Sequence, residues 1–171
     1  MKAKIIGLLS ATLAVTALAA PPAGADGYYR VRNYGSNKCI QPHPGNPLAE
    51  LAAVVQMPCN NNAVQKWTIV PNTHNTVYFV NQASGFCLNV VGKNTNRAPV
   101  NQVECNDNSN QRWIPPLVVP NDVPKFIYSR VGGGDNTIRC LDAKGETADL
   151  TQMQIYTCQD DHPMTHWLIH P

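Results

Sequence analysis

The chain has 171 residues, with 13 Lys+Arg against 11 Asp+Glu and only 14% charged residues. That length fits one domain or two small ones, and so low a charged fraction excludes a disordered polyelectrolyte and a Lys/Glu-rich helical bundle. A formal net charge of +2 is a poor footprint for nucleic acid, because phosphate recognition needs clustered Lys and Arg.

Lys2 and Lys4 precede an apolar and small-residue run from Ile5 to Ala20, which is short for a membrane span. Ala17-Leu18-Ala19 and Ala23-Gly24-Ala25 both offer the small-residue spacing of a signal-peptidase site, and the second leads into polar Asp26. The expectation is an export signal over residues 1–25, a single domain over 26–171, and a secreted, extracellular protein. Loss of Lys2 and Lys4 leaves as many basic as acidic residues. The mature chain is then formally neutral, with nothing electrostatic to steer it to nucleic acid or to an anionic membrane.

All six cysteines follow the leader and fall into pairs: Cys39 and Cys59 are 20 residues apart, Cys87 and Cys105 are 18 apart, and Cys140 and Cys158 are 18 apart. Each pair is followed by a tryptophan at nearly fixed distance, Trp67, Trp113 and Trp167. Each tryptophan then runs into an apolar stretch ending in proline. The chain therefore reads as three copies of one unit, over residues 28–71, 77–120 and 126–171. If the copies fold alike, the pairing repeats within each copy: Cys39 with Cys59, Cys87 with Cys105, Cys140 with Cys158. An oxidising compartment supports such bridges, and the spacing is wrong for zinc.

Tyr29-Arg30-Val31-Arg32, Val77-Tyr78-Phe79-Val80 and Phe126-Ile127-Tyr128-Ser129 open the three copies with strand formers. Asn, Gly and Pro crowd the stretches between them. Short strands in three copies predict an all-β domain in which the copies share one core.

Cys87-Leu88-Asn89 with Asn110-Gln111-Arg112-Trp113, Cys140-Leu141-Asp142 with Trp167, and Gln65-Lys66-Trp67 after Cys59 resemble the repeats of ricin-B-type β-trefoil lectins, also known as family 13 carbohydrate-binding modules. The resemblance covers Tyr28 to Pro171. The alanine-rich leader is similar to those of secreted actinobacterial proteins. The resemblance implies a β-trefoil of twelve strands, with a six-stranded barrel closed at one end by three hairpins and up to three equivalent shallow sugar sites. It implies a non-catalytic protein whose partner is a glycan or polysaccharide, with no cofactor and no metal.

A sugar is held by a fork of carboxylate and amide hydrogen bonds and by an aromatic ring against its apolar face. In the family the fork comes from the Asp after Cys-Leu and the Asn before Gln-x-Trp, and the ring stands two residues before the second cysteine. The first repeat has Gln41, Val64 and Met57 at these positions and is expected to bind no sugar. The second keeps Asn110 and has Asn89 for Asp, but Val103 replaces the ring, which makes it the weaker candidate. The third keeps Asp142 and Tyr156, with Gln154 on the same strand face, and has Met164 for Asn and Thr165 for Gln. It is the best candidate. Gln65 and Gln111 are read as turn-holding residues, and Met153 and Ile155 as the core-facing partners of Gln154 and Tyr156.

His162, His166 and His170 recur every four residues, but Pro163 and the strand around Trp167 break the helix that would gather them round a metal. Gly132-Gly133-Gly134-Asp135-Asn136 lacks the Lys-Ser/Thr of a phosphate cradle and reads as a hairpin loop. No Gly-x-Ser-x-Gly or His-Glu-x-x-His nominates an enzyme. The alternative to a lectin is a trefoil that binds a protein partner, suggested by ring loss in two copies and by the proline-rich Gln41 to Leu51 loop.

Overall fold

The computed structural model describes residues 27–116, 123–132 and 138–171. The expected leader and most of the loop after Gly132 lie outside them. The first repeat supplies β1 (Arg30–Asn33), β2 (Lys38–Pro42), β3 (Val54–Pro58) and β4 (Trp67–Pro71), and the second supplies β5 (Val77–Asn81), β6 (Cys87–Val90), β7 (Ala98–Val103) and β8 (Trp113–Ile114). The third supplies β9 (Lys125–Phe126), β10 (Tyr128–Ser129), β11 (Arg139–Asp142), β12 (Gln154–Thr157) and β13 (His166–His170). β9 and β10 are one strand interrupted at buried Ile127, whose carbonyl accepts instead from Leu141 N at 2.9 Å.

Six strands, with β9 and β10 counted as one, close a barrel. β1 pairs with β13, β13 with β9, β10 with β8, β8 with β5, and β5 with β4, all antiparallel. A bridge between Tyr29 and Trp67 joins β4 back to the start of β1. The hairpins β2–β3, β6–β7 and β11–β12 cap one end and touch one another through β7 with β12 and the bridges Ala53 to Asn101 and Val55 to Gln152. This is the β-trefoil that the family resemblance implies, and the all-β domain with one shared core that the three-copy pattern predicts.

The repeat motif acquires a physical reason here. Trp67, Trp113 and Trp167 are fully buried, and each indole Nε1 donates to the carbonyl of the residue after a first cysteine: Ile40 at 3.2 Å, Leu88 at 3.0 Å and Leu141 at 2.8 Å. A buried indole needs a partner for its N–H, so the tryptophan and the Cys-apolar step must keep a fixed spacing. The three expected disulfides form, Cys39–Cys59, Cys87–Cys105 and Cys140–Cys158, each tying the first strand of a hairpin to the end of the second. Val31, Ile40, Phe79, Leu88, Val100, Leu141, Met153 and Ile155 pack with the tryptophans into one core.

One turn of 3-10 helix precedes each tryptophan, at Ala63–Gln65, Ser109–Gln111 and Pro163–Thr165. Gln65 and Gln111 are buried and hold this turn. Their Oε1 atoms accept from Asn60 N and Asn106 N, and their Nε2 atoms donate to the carbonyls of Pro58 and Glu104. Thr165 does the same in the third repeat with a shorter reach, donating Oγ1–H toward the carbonyls of Gln159 and His162. His162 and His166 thus flank a 3-10 turn, and His166–His170 is a strand.

Candidate functional site

The third hairpin places the predicted residues in register. Asp142, the last residue of β11, lies opposite Gln154, the first of β12, and Tyr156 lies opposite Cys140. Gln154 and Tyr156 share one face of β12, while Met153 and Ile155 are fully buried on the other. Tyr156 is half-buried.

Asp142 is 2% exposed. Its Oδ2 accepts from Gln154 Nε2 at 2.7 Å and from Lys144 N at 2.9 Å. The backbone turns sharply at this point, with Lys144 at φ +57° and Gly145 at φ +71°, so that glycine is the natural residue at the second of these positions. The other oxygen, Oδ1, is buried and has no hydrogen-bond partner. Burial pushes the Asp142 carboxyl above the ordinary carboxylate range, and Gln154, the backbone donors and the nearby His162 draw it part of the way back.

A raised pKa in the folded state means that the ionised form is the disfavoured one. Stability is then greatest below the unfolded value near 3.8 and falls as pH rises through the folded value. Asp142→Asn is expected to stabilise the fold at pH 7 by about 1 kcal/mol. The gain should vanish near pH 3, where the carboxyl of the parent is protonated. Thermal denaturation of both proteins across pH 3 to 7 checks it; an Asn variant less stable at pH 7 than at pH 3, relative to the parent, contradicts it.

His162 also lies beside this turn, at a position that the motif does not nominate as a contact residue. Its ring rests against the turn after Asp142: a β-carbon built on Gly145 would stand 3.5 Å from Nε2. Its Nδ1 is buried without a partner. The local cause is visible in the matching turn of the second repeat. There Asn108 caps the 3-10 turn with its side chain, accepting from Asn110 N. His162 occupies the same cap position without a side-chain cap bond, with Pro163 next in the turn. The third-repeat turn is held instead by Thr165, whose N–H and Oγ1–H both donate to the His162 carbonyl.

The second repeat is held differently. Asn110 donates both amide hydrogens to backbone, to Val90 O at 2.7 Å and Gly92 O at 2.9 Å, and Asn89 Nδ2 donates to Asn101 Oδ1 at 2.8 Å. Two of the polar groups that would contact a ligand there already serve the fold. In the first repeat Gln41 is buried, accepting from Gln65 Nε2 at 2.8 Å and donating to the Pro42 carbonyl. Among the described residues no group of three or more His, Cys, Asp or Glu side chains could hold a metal ion.

The model of the ricin-type beta-trefoil lectin domain-like family matches residues 18–103 and, overlapping them, 74–156. The chain belongs to that family. Among solved structures this lectin-like trefoil is similar to the designed three-fold symmetric protein ThreeFoil, at 23% identity and a TM-score of 0.74, with 85% of this chain and 99% of that one covered. It is also similar to the ricin B-like lectin of Macrolepiota procera in complex with lactose, at 16% identity and a TM-score of 0.65, covering 84% and 94%. An exo-beta-1,3-galactanase from Clostridium thermocellum matches at 23% identity and a TM-score of 0.73; 84% of this chain covers 30% of the enzyme. At such identities these structures establish the trefoil fold. No curated protein matches the chain.

Proposed function

We propose that this trefoil is a secreted, non-catalytic carbohydrate-binding protein whose working site lies in the third repeat, formed by Asp142, Gln154 and Tyr156. The observation that carries the reading is the Asp142 carboxylate, fixed by Gln154 and Lys144 N on one oxygen and left without a donor on the other. A buried carboxylate oxygen lacking a donor is costly in the free protein. A sugar hydroxyl supplies that donor, and the half-buried Tyr156 ring offers a stacking surface on the same strand face. Family membership supports the class of ligand, and the lactose held by the Macrolepiota lectin makes galactose-containing disaccharides the first probes. Three disulfides fit export through a leader ending at Ala25. The second repeat, with its amides committed to the fold, is the lesser site.

A glycan array containing lactose and β-1,3-galactobiose, followed by titration calorimetry, tests the reading. One shallow site of this kind binds weakly, near a Kd of about 1 mM or about −4 kcal/mol. Tyr156→Ala is expected to weaken binding about tenfold, the equivalent of about 1.4 kcal/mol of stacking, without changing the melting temperature. Binding that is indifferent to Tyr156→Ala removes the third-repeat site.

A second reading, a trefoil that docks a protein, is favoured by one feature. In the loop leading to β3, Leu48 is 62% and Leu51 is 68% exposed, and Leu51 sits at φ +67°, a left-handed conformation disfavoured for a branched side chain. A blank array would bring that reading forward.

A further inference from the structure

We propose that His162 is a ligand-contacting residue of the third-repeat site, taking in space the place of the asparagine that this repeat lacks. The proposal rests on the carbohydrate reading of Asp142 and Tyr156.

Four buried side-chain polar atoms among the described residues have no hydrogen-bond partner, and two of them, Asp142 Oδ1 and His162 Nδ1, lie on the side chains that border the turn at Lys144 and Gly145. In a fold this well satisfied elsewhere, two orphans on neighbouring side chains mark where a further polar group belongs. The second repeat shows what the fold does when its own asparagine is present: Asn110 Nδ2 reaches Gly92 O. Gly145 is the matching residue of the third repeat, and the His162 ring rests against it. Met164, at the asparagine's position in sequence, turns away, its thioether lying against Gly35 in the first repeat.

The chemistry of the two orphans selects the ligand. A carboxylate oxygen only accepts, whereas a neutral imidazole has one nitrogen that donates and one that accepts. A vicinal diol, as on a pyranose, meets both groups, because each hydroxyl donates and accepts.

Calorimetric titration of the intact protein with lactose and with β-1,3-galactobiose at pH 7.5 tests this for the parent, His162→Ala, His162→Asn and Tyr156→Ala. The expected result is a loss of about tenfold in His162→Ala at pH 7.5 with an unchanged melting temperature, and recovery to within about threefold in His162→Asn, whose amide again donates and accepts. A parent that binds and loses binding in Tyr156→Ala, yet is unchanged by His162→Ala, overturns the role of His162 and leaves the carbohydrate site standing. No binding to either sugar or to any glycan of the array, or binding indifferent to Tyr156→Ala, overturns both.

Discussion

Replacing Trp167 with alanine is expected to cost about 4 kcal/mol of folding stability, within the range for emptying an aromatic core position. The indole is fully buried on β13, and its Nε1 donates to Leu141 O at 2.8 Å. Truncation opens a cavity among residues drawn from all three repeats and orphans a carbonyl one residue before Asp142. Trp167→Phe separates the two effects. It keeps most of the ring and loses the donor, so about 1 to 2 kcal/mol should suffice. A domain of this size holds about 5 to 15 kcal/mol in total, so the alanine variant should melt far below the parent. Chemical denaturation with disulfides intact measures both. A Trp167→Ala loss below about 2 kcal/mol would mean that the core tolerates collapse at this position.

Gln102→Leu should be nearly as damaging, at about 3 kcal/mol, for a reason that concerns the joining of repeats. Gln102 on β7 is fully buried. Its Nε2 donates to Pro47 O at 3.0 Å and Ala49 O at 2.8 Å, and its Oε1 accepts from Ser84 Oγ at 2.8 Å. One amide of the second repeat thereby pins the loop of the first. Gln56 on β3 repeats the device, donating to Glu146 O and Ala148 O of the third repeat and accepting from Ser36 Oγ. In the third repeat Ile155 stands at this position and only its backbone carbonyl serves, taking Arg97 N at 2.9 Å. Each repeat therefore holds the loop of its predecessor around the three-fold axis. Leucine preserves volume but removes all three bonds, leaving the Pro47 carbonyl without its amide donor while Ala49 O keeps Ala52 N and Ser84 Oγ keeps Phe86 N. Proteolysis between His43 and Leu51 should accelerate along with the loss of stability; a variant that is destabilised with that loop still protected would place the defect elsewhere.

The local parts of this fold can be read directly from residue spacing. Cysteine pairs, tryptophans and turn glutamines recur because each is tied to a partner within its own repeat, and the tie fixes the number of residues between them. Partners in different repeats carry no such spacing, which is why Gln56 and Gln102 read as ordinary strand residues until the hairpins are assembled. Asp142, Gln154 and Tyr156 are likewise legible, through the family's motif positions and strand parity. The near-complete burial of the Asp142 carboxylate is not legible, because it depends on the turn at Lys144 and Gly145 folding over it. His162 escapes for a third reason. It stands two residues before the motif position, at the cap of the 3-10 turn, where the second repeat has Asn108. A closer look at Asn108 against His162 in the aligned turns offers the one sequence signal for it.

The most direct test of the carbohydrate reading is a residue-by-residue map of lactose binding by amide chemical shifts in the isotopically labelled protein. Saturable shifts confined to Asp142 through Gly145, Gln154 to Tyr156 and His162, with the first repeat from Asn60 to Trp67 silent, are the predicted result. Shifts centred on the first repeat or on the Gln41 to Leu51 loop, with the Asp142 turn unmoved at saturating sugar, would contradict it.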